Sequence, residues 1–415
     1  MKVLLVVLDG AAGRSHPLLK GKSELEAASK PKLDMLCYNG TVGLLEVVPN
    51  VAPESDIAVL SLLGFDLKNY PGRGPLEALG AFQKLSKKGI ALRANFCTVE
   101  GETIVDRRVG RGLLTAEAKA LEKSLNEIEL SYGKAIFKAT AGHRGVLVLE
   151  GSSFSPNVSN TDPAYVRKNN FSEAKESFSQ KIQLCEPLEK KATLTARIIN
   201  EWLSQARDIL ENHPINLARI KRGALPANYI LLRDAGSLNI NKKRYLPGIK
   251  KAILADMPLE VGIGKFLGFD VINIPEGFTK AKYVRSANAC AKALSKYDFV
   301  YIHIKGPDVF GHDKDVFGKV KCIENIDRFF FAPLLRKIDF KKVVLCVTCD
   351  HATPAKVGAH TSDPVPILFY GAGIPFGFNT CFCERNAVLG PLRLRGEHLM
   401  EIINKNLKKA PISEC

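Results

Sequence analysis

The most constraining feature of the sequence is a set of four unbroken apolar runs, one at the start of the chain and three in its last third. A continuous, β-branched-rich run of this length is typical of a strand buried on both faces of a parallel sheet. Stretches with helical periodicity, such as 283–295 and 318–337, lie between the later runs or before them. The pattern predicts an α/β fold, an open mostly parallel sheet with helices on both faces. The four runs are residues 3–8, 298–305, 343–349 and 365–370.

The middle of the chain has a different pattern, with its own shorter strands and helices around a polar loop at 152–160. We predict strands at 145–149 and 229–232 and helices at 115–125 and 192–211. A smaller α+β domain inserted into the first domain explains this order. The predicted domains are 1–79 with 249–415, which form one discontinuous domain, and the insert 80–248.

Length and composition support a globular enzyme-sized protein. A chain of 415 residues exceeds one ordinary core, and 46% hydrophobic with 25% charged residues excludes a disordered or fibrous protein. The apolar runs are too short for a membrane span and no signal segment is recognisable, so we expect a cytoplasmic protein without a membrane partner. The ten scattered cysteines are interpreted as reduced, mostly buried thiols.

The net charge of +16 fits a nucleic acid partner, an anionic small substrate or a basic background. Residues 80–248 hold 27 Lys and Arg against 17 Asp and Glu, so most of the excess lies in the insert. No stacking motif accompanies the basic clusters, which we interpret as solvated faces, and no specific nucleic acid partner is predicted. The clusters are 84–88, 219–222 and 242–244.

Asp and His residues, which commonly bind metal ions in proteins, lie at one end of each apolar run. In open α/β sheets, ligands bind beyond the carboxyl ends of the strands. A lone Asp after a strand is usually a turn or cap residue, and a lone His is usually a satisfied core or surface residue. Their recurrence at four runs favours a metal site instead. The residues are Asp9, Asp308, His312, Asp350, His351 and His360.

The spacing and chemistry of these residues indicate the ions. Asp308 and His312 are four residues apart, so one helical turn places both on one face. Carboxylates mixed with imidazoles suit Mn²⁺, Mg²⁺, Zn²⁺ or Co²⁺ better than Ca²⁺ or copper, and six ligands suffice for two ions.

Ser55 supplies a nucleophile for such a site. The apolar pattern that follows it predicts a helix that begins at Ser55, where the helix dipole favours an anion. One interpretation is an N-cap serine. The other, compatible with it, is a metal-activated hydroxyl that attacks phosphorus.

Several motifs resemble those of one family: VVLDG, ESDIAVLSLLGFD, GRGPLEALGA, IVDRRVGR, NTDP, GHDKDVFGKV and DHATP. Together they span nearly the whole chain. On these residues the sequence resembles cofactor-independent (2,3-bisphosphoglycerate-independent) phosphoglycerate mutases of the archaeal type, in the alkaline-phosphatase-like superfamily of metalloenzymes.

The resemblance implies a phosphatase-like metal domain, a substrate-binding insert that closes over it, and interconversion of 3-phosphoglycerate and 2-phosphoglycerate through a phosphoserine at Ser55. It implies one ion held by Asp9, Ser55, Asp350 and His351, and another held by Asp308, His312 and His360. Mn²⁺ is favoured, and Mg²⁺, Co²⁺ and Zn²⁺ are compatible. The implied substrate-binding residues are Asp106, Arg107, Arg108, Arg111, His143, Arg144, Asp162 and Arg233.

The implied partner is a small-molecule phosphoglycerate, and a homo-oligomer is compatible with the sequence. An alternative function is another metal-dependent phosphomutase or a phosphatase of the same superfamily. The sequence departs from the family pattern at Glu54, Ile57, Val59 and Ala359, but it retains every implied metal ligand.

A structural zinc site at Cys346-x-x-Cys349 together with Cys381-x-Cys383 is an alternative interpretation of these cysteines. In an extended strand Cys346 and Cys349 face opposite sides, so buried thiols are the preferred interpretation.

Overall fold

The computed structural model describes residues 1–168, 171–175, 177–239 and 246–408. Within these residues the chain forms fifteen strands and fourteen α-helices. The strands are β1 (Lys2–Leu8), β2 (Thr41–Glu46), β3 (Gly89–Glu100), β4 (Thr103–Asp106), β5 (Lys134–Ala139), β6 (Arg144–Glu150), β7 (Tyr165–Lys168), β8 (Phe171–Ala174), β9 (Tyr229–Ser237), β10 (Lys251–Ala255), β11 (Asp270–Asn273), β12 (Phe299–Ile304), β13 (Val343–Cys349), β14 (Val365–Gly371) and β15 (Leu392–Arg395). The helices are α1 (Glu24–Ala27), α2 (Pro31–Tyr38), α3 (Ser55–Leu62), α4 (Arg73–Ala81), α5 (Thr115–Leu125), α6 (Thr193–Glu211), α7 (Pro214–Lys221), α8 (Pro258–Phe266), α9 (Lys280–Lys296), α10 (Pro307–His312), α11 (Val316–Ile326), α12 (Ala332–Leu335), α13 (Glu384–Ala387) and α14 (Gly396–Leu407).

Two compact units divide the chain. Unit 1 comprises Met1–Asn69, Arg244–Glu260 and Leu267–Cys415, and unit 2 comprises Tyr70–Lys243 and Val261–Phe266. Unit 2 begins before the predicted boundary at residue 80, because α4 packs on β3, β6 and β9.

Unit 1 is built on an eight-stranded sheet in the order β11-β10-β12-β1-β13-β14-β2-β15. Its strands are parallel except β14, which runs antiparallel to both of its neighbours. The residues of β12 and β13 are all buried, so both faces of the sheet are covered. Helix α9 packs on β10, β12 and β1, while α14 packs on β1 and β15. The predicted α/β class with a mostly parallel sheet is confirmed.

The strand register brings several chain segments to one edge of this sheet, called here the carboxyl edge. Leu8, the last residue of β1, pairs with Ile304 of β12 and with Cys349 of β13, so these three strands end side by side. Because β14 is reversed, its amino end lies at the same edge, with Ile367 opposite Thr348. Side chains that follow β1, β12 and β13 therefore meet those that precede β14.

The predicted helix over 318–337 is not continuous. Helix α11 runs into a π-helical turn at Asp327–Phe331 before α12 begins. Pro333 explains the interruption, since it lacks an N–H and its ring clashes with the carbonyl four residues earlier.

Unit 2 contains an antiparallel sheet in the order β4-β3-β6-β5, with β9 also paired to β3. Helices α5 and α6 pack on this sheet. Its core includes Phe137, whose ring lies 5.4 Å from that of Phe96 and stacks on Trp202 at 5.8 Å. The predicted smaller α+β domain is confirmed as a fold.

The nine described cysteines are free, and all but Cys381 are buried. No helix in the described ranges is long and apolar enough to cross a membrane.

Candidate metal centre and arginine cluster

All seven predicted ligands of unit 1 lie at the carboxyl edge. Asp9 directly follows β1, and Asp350 and His351 directly follow β13. Asp308 and His312 are on α10, which follows β12, and Ser55 is the first residue of α3. His360 precedes β14 and reaches the edge because that strand is reversed.

Asp308, His312 and His360 form a first ligand group, called cluster 1. The Nε2 atoms of the two histidines are 3.1 Å apart. Asp308 Oδ1 lies 3.5 Å from Nε2 of His312 and 3.3 Å from Nε2 of His360. As predicted, one helical turn brings Asp308 and His312 together.

In both histidines of cluster 1, Nδ1 contacts a backbone carbonyl, so Nε2 is directed toward the other ligand atoms of the cluster. His312 Nδ1 contacts the carbonyl of Gly358 at 3.0 Å, and His360 Nδ1 contacts the carbonyl of Pro53 at 2.9 Å. A histidine whose Nδ1–H donates to a carbonyl presents Nε2 as a metal ligand. Burial lowers the pKa of His360, but the hydrogen bond with Asp308 outweighs it and raises that pKa to about 10, so the Asp308 carboxylate stabilises positive charge at this point. The chemistry of this group therefore fits a cation at the point where the three ligand atoms meet.

Asp9, Asp350, His351 and Ser55 form a second group, called cluster 2. His351 Nε2 lies 3.5 Å from Asp9 Oδ1, 3.2 Å from Asp350 Oδ2 and 3.4 Å from Ser55 Oγ. Asp9 Oδ1 and Asp350 Oδ2 are buried and have no hydrogen-bond partner among the described residues. Buried, unsatisfied carboxylate oxygens facing an imidazole are costly without a cation, so this group also fits a divalent ion.

The two clusters are adjacent. Thr353 Oγ1 donates to Asp308 Oδ1 at 2.8 Å and contacts His351 Nδ1 at 2.9 Å, so one hydroxyl orients a ligand of each cluster. Gly10 adopts φ +57, and a Cβ there would lie 2.6 Å from Thr353 Oγ1 and 2.8 Å from Asp308 Oδ1. The Asp9-Gly10 pair thus needs glycine for both its backbone conformation and its close approach.

Ser55 begins α3 as predicted, but the N-cap interpretation is wrong. Glu54 occupies the cap position, and it makes no side-chain capping hydrogen bond. Ser55 is the first residue inside the helix, and its hydroxyl is directed toward His351 instead of the backbone.

Three side chains of this centre were missed by the sequence interpretation: His303, Lys305 and Glu260. Lys305 Nζ lies 3.0 Å from Asp9 Oδ2 and 2.7 Å from Glu260 Oε1. His303 Nε2 lies 3.3 Å from Asp350 Oδ2, and its Nδ1 lies 3.4 Å from Glu260 Oε1. Burial lowers the pKa of Lys305, but Asp9 and Glu260 outweigh it and raise that pKa, so the ammonium is a permanent cation beside cluster 2.

In unit 2, the predicted residues Arg107, Asp162 and Arg233 are in direct contact. Asp162 is almost fully buried, and Arg107 binds it through Nε at 3.0 Å and Nη2 at 2.5 Å. Arg233 Nη1 donates to the same carboxylate at 2.8 Å. Burial opposes ionisation, but Arg233 and Arg107 lower the pKa of Asp162.

Two other predicted residues of unit 2, Asp106 and His143, have different surroundings. Asp106 accepts the amides of Arg108 and Gly110 at 2.7 and 2.8 Å, which shapes the backbone turn. Burial, followed by the charges of Arg144 and Arg108, lowers the pKa of His143 to about 3. His143 is therefore neutral near pH 7, and it lies in the positive field of the predicted arginines.

Two arginines beside this group were missed, Arg93, which is buried, and Arg73, which is partly buried. Arg73 Nε donates to Glu77 Oε1 at 2.9 Å, and Arg93 Nε lies 3.4 Å from the same oxygen. Burial, with the charges of Arg73 and Arg233, lowers the pKa of Arg93 to about 10. A pKa lowered by neighbouring cations marks a local excess of positive charge, which suits an anionic ligand.

One interpretation of the basic clusters is wrong. Arg219 was assigned to a solvated face, but it is 1% exposed, and it donates to Glu117 at 2.6 Å and to the carbonyl of Leu225 at 2.8 Å. Lys84, Lys87 and Lys88 are exposed as expected, and residues 242–244 lie outside the described residues. No ligand group among the described residues includes the cysteines considered for zinc.

Asp162→Asn should weaken unit 2 because it removes the buried negative charge that pairs with the guanidinium groups of Arg107 and Arg233. We expect a loss of about 3 kcal/mol in the free energy of unfolding, measured in urea at pH 7. Since the pKa of Asp162 is lowered in the folded state, its contribution is present above the unfolded value of about 4 and is lost as pH falls through the folded value. The difference between variant and wild type should therefore shrink in strong acid.

Asp208→Asn is the matched control, because Asp208 is exposed on α6 of the same unit. Its free energy of unfolding should stay within about 0.5 kcal/mol of wild type. An equal loss in both variants would contradict a special role for Asp162.

The arrangement in unit 1 defines a class of protein, an α/β fold that holds a candidate divalent-metal centre and a serine hydroxyl at the carboxyl edge of its sheet. Residues 38–216 match the family model described as 2,3-bisphosphoglycerate-independent phosphoglycerate mutase. A curated protein of that name from Aeropyrum pernix is 47% identical over 387 residues, which cover 89% of this chain and 90% of the relative. Another from Archaeoglobus fulgidus is 40% identical over 97% of each chain.

Solved structures agree with these relatives. A protein from Pyrococcus horikoshii has a TM-score of 0.80 at 29% identity, with 100% of this chain and 99% of that chain covered. The cofactor-independent phosphoglycerate mutase from Thermoplasma acidophilum has a TM-score of 0.64 at 30% identity, with coverage of 98% and 100%. The chain belongs to the 2,3-bisphosphoglycerate-independent phosphoglycerate mutase family and is an enzyme of the isomerase class.

Proposed function

We propose that this enzyme interconverts 3-phosphoglycerate and 2-phosphoglycerate through a phosphoserine at Ser55, without 2,3-bisphosphoglycerate. The observation that carries the proposal is the position of the Ser55 hydroxyl, 3.4 Å from His351 Nε2 and at the helix end that favours an anion. The proposed substrate, phosphoglycerate, is inferred from the names of the relatives in this family.

Cluster 1 would hold one divalent ion, and cluster 2 would hold the other together with Ser55. When bound, such ions would lower the pKa of the Ser55 hydroxyl and neutralise the charge of the phosphoryl group. The mixed carboxylate and imidazole donors favour Mn²⁺, with Mg²⁺, Co²⁺ and Zn²⁺ as alternatives. Lys305 adds a fixed positive charge beside Asp9.

The chemistry at Ser55 then consists of two transfers. In the first transfer the Ser55 hydroxyl loses its proton as Oγ attacks the phosphorus of 3-phosphoglycerate, the bond from phosphorus to the 3-oxygen breaks, and that oxygen takes up a proton. In the second transfer the 2-hydroxyl of glycerate loses its proton as it attacks the phosphoserine, the bond from phosphorus to Ser55 Oγ breaks, and Oγ takes up a proton. The same residue is therefore nucleophile and leaving group.

Unit 2 would bind the anionic groups of the substrate through its arginines. Guanidinium groups bind carboxylate and phosphate through paired hydrogen bonds, and this unit holds more arginines than carboxylates around Glu77 and Asp162. Neutral His143 would contribute a hydrogen bond and no charge. Retention of glycerate between the two transfers is what separates a mutase from a phosphatase.

A direct assay tests the proposal. Purified enzyme with Mn²⁺ should convert 3-phosphoglycerate to 2-phosphoglycerate in the absence of 2,3-bisphosphoglycerate, and free inorganic phosphate should stay a minor product. Chelation should abolish turnover, and added Mn²⁺ should restore it. Phosphate release as the main reaction would overturn the mutase proposal in favour of a phosphatase.

A mutase of this kind would act on a small molecule in the cytoplasm, which is the location we propose. The free state of the nine described thiols agrees with a reducing compartment.

A further inference from the structure

A pair of thiols in unit 1 takes no part in the proposed chemistry. Cys381 is half-buried and Cys383 is buried, on the segment that leads into α13. The amide of Cys383 donates to the carbonyl of Cys381 at 3.1 Å, which closes a three-residue turn. In such a turn the two Cα atoms are close enough for a bond between the sulfur atoms.

A buried ammonium group contacts the outer thiol. Lys30, 1% exposed, donates from Nζ to Cys381 Sγ at 3.0 Å and lies 3.2 Å from Asp34 Oδ1. Asp34 also accepts the amide of Phe382 at 2.9 Å, which holds the cysteine segment against α2. Lys30 is the N-cap residue of α2, while Asp34 and Cys37 are three residues apart on the helix and so share one of its faces.

These contacts make Cys381 different from its neighbours. The hydrogen bond from the Cys383 thiol, followed by the charge of Lys30, lowers the pKa of Cys381 to about 7. Burial raises the pKa of Cys37 to about 12, and the hydrogen bond to Cys381 raises the pKa of Cys383. The groups that face Cys381 are thus one cation, Lys30, one carboxylate, Asp34, and two protonated thiols.

We propose that Cys381 is a site of oxidation by hydroperoxides, with Cys383 as the thiol that completes a disulfide. The half-exposed sulfur beside a fixed ammonium group is the reactive atom, and the adjacent thiol in the turn is the nearest partner in sequence.

The reaction balances in two steps. The Cys381 thiolate attacks the terminal oxygen of the hydroperoxide, a sulfur–oxygen bond forms, the oxygen–oxygen bond breaks, and the alcohol or water leaves with a proton. Cys383 then loses its proton and attacks the sulfenic sulfur of Cys381, the sulfur–sulfur bond forms, and hydroxide leaves as water. Two thiols are oxidised and one peroxide is reduced to alcohol and water.

Peptide mass spectrometry of the full-length enzyme, treated with one equivalent of hydrogen peroxide, tests the proposal. We expect a linked peptide that contains Cys381 and Cys383 and has lost two hydrogen atoms. In Cys383→Ser the sulfenic acid should persist at Cys381, where dimedone should trap it. Cys290, fully buried in α9, should stay reduced and serves as the internal control.

Alkylation kinetics give a second readout that does not need the disulfide. In Lys30→Met, the rate of Cys381 alkylation by a bimane reagent at pH 7 should fall by about fivefold if the thiol pKa rises by one unit, because at pH 7 the thiolate fraction falls from about one half to about one eleventh. Two results would overturn the proposal: Cys381 reacting no faster than Cys290, or a cross-link that joins Cys381 to Lys30 or Cys37 in place of Cys383. Neither readout depends on mutase activity or on bound metal.

Discussion

Replacing Ser55 with alanine should lower kcat for the interconversion of the phosphoglycerates by at least about 10³-fold, because the variant lacks the oxygen that accepts the phosphoryl group. That loss corresponds to about 4 kcal/mol of transition-state stabilisation. The wild-type enzyme, quenched with acid during turnover, should carry phosphate on Ser55, and phosphopeptide mass spectrometry of wild type and variant reports this directly. Binding of an ion to cluster 1 should survive, because Asp308, His312 and His360 are unchanged.

Ser61→Ala is the matched control on the same helix. Ser61 Oγ donates to the carbonyl of Val47 at 2.6 Å and makes no contact with either ligand cluster. Loss of this buried hydrogen bond should cost about 1 kcal/mol of stability and leave kcat within about twofold of wild type. If Ser55→Ala kept wild-type turnover, or if phosphate appeared on another residue, Ser55 would not be the nucleophile.

The apolar runs were sufficient to predict most of the side chains that lie together in the two candidate ligand clusters. A strand buried on both faces needs an unbroken apolar sequence, so the residues at its end are evident without a structure. The register then explains why Asp9 and Asp350 meet, since Leu8 pairs with Cys349. The helical turn that joins Asp308 and His312 followed from their spacing alone.

The direction of a buried strand cannot be predicted from its apolar sequence. His360 precedes β14, so in an all-parallel sheet it would lie at the opposite edge from the other ligands. It reaches cluster 1 because β14 is antiparallel to β13 and β2, which depends on how the whole sheet assembles. The prediction for His360 rested on its residue type and on the family resemblance, while the structure supplies the geometric reason.

The remaining residues that the sequence interpretation missed or misassigned are only weakly indicated by the sequence, or not at all. His303 lies within the apolar run of β12, and Lys305 directly follows it. A polar side chain among apolar neighbours could have identified both as candidate site residues. Glu260 lies on α8, far from any run in sequence, and only tertiary packing brings it to Lys305. Arg219 was misjudged because local charge density does not distinguish an exposed arginine from one buried against Glu117.

His360→Ala should remove one of three ligand atoms from cluster 1 and weaken ion binding there by at least about 100-fold. We expect the metal content after dialysis, measured by elemental analysis, to fall by about one ion per chain, while the ion of cluster 2 remains. Mutase turnover should fall with it, because phosphoryl charge would be neutralised by one ion instead of two. Isothermal titration with Mn²⁺ separates the two binding events, so the result does not depend on activity.

His398→Ala is the control that distinguishes a ligand from any histidine. His398 is a half-exposed side chain on α14, and among the described residues its ion-pair partner is Glu397, at 3.9 Å. Its removal should change neither metal content nor turnover. His360 contacts Asp308 at 3.3 Å and the carbonyl of Pro53 at 2.9 Å, so its loss also removes one partner of the partly buried Asp308 carboxylate. Asp308→Asn should reproduce the loss of one ion. Two ions retained in both His360→Ala and Asp308→Asn would show that cluster 1 is held together by hydrogen bonds and does not bind metal.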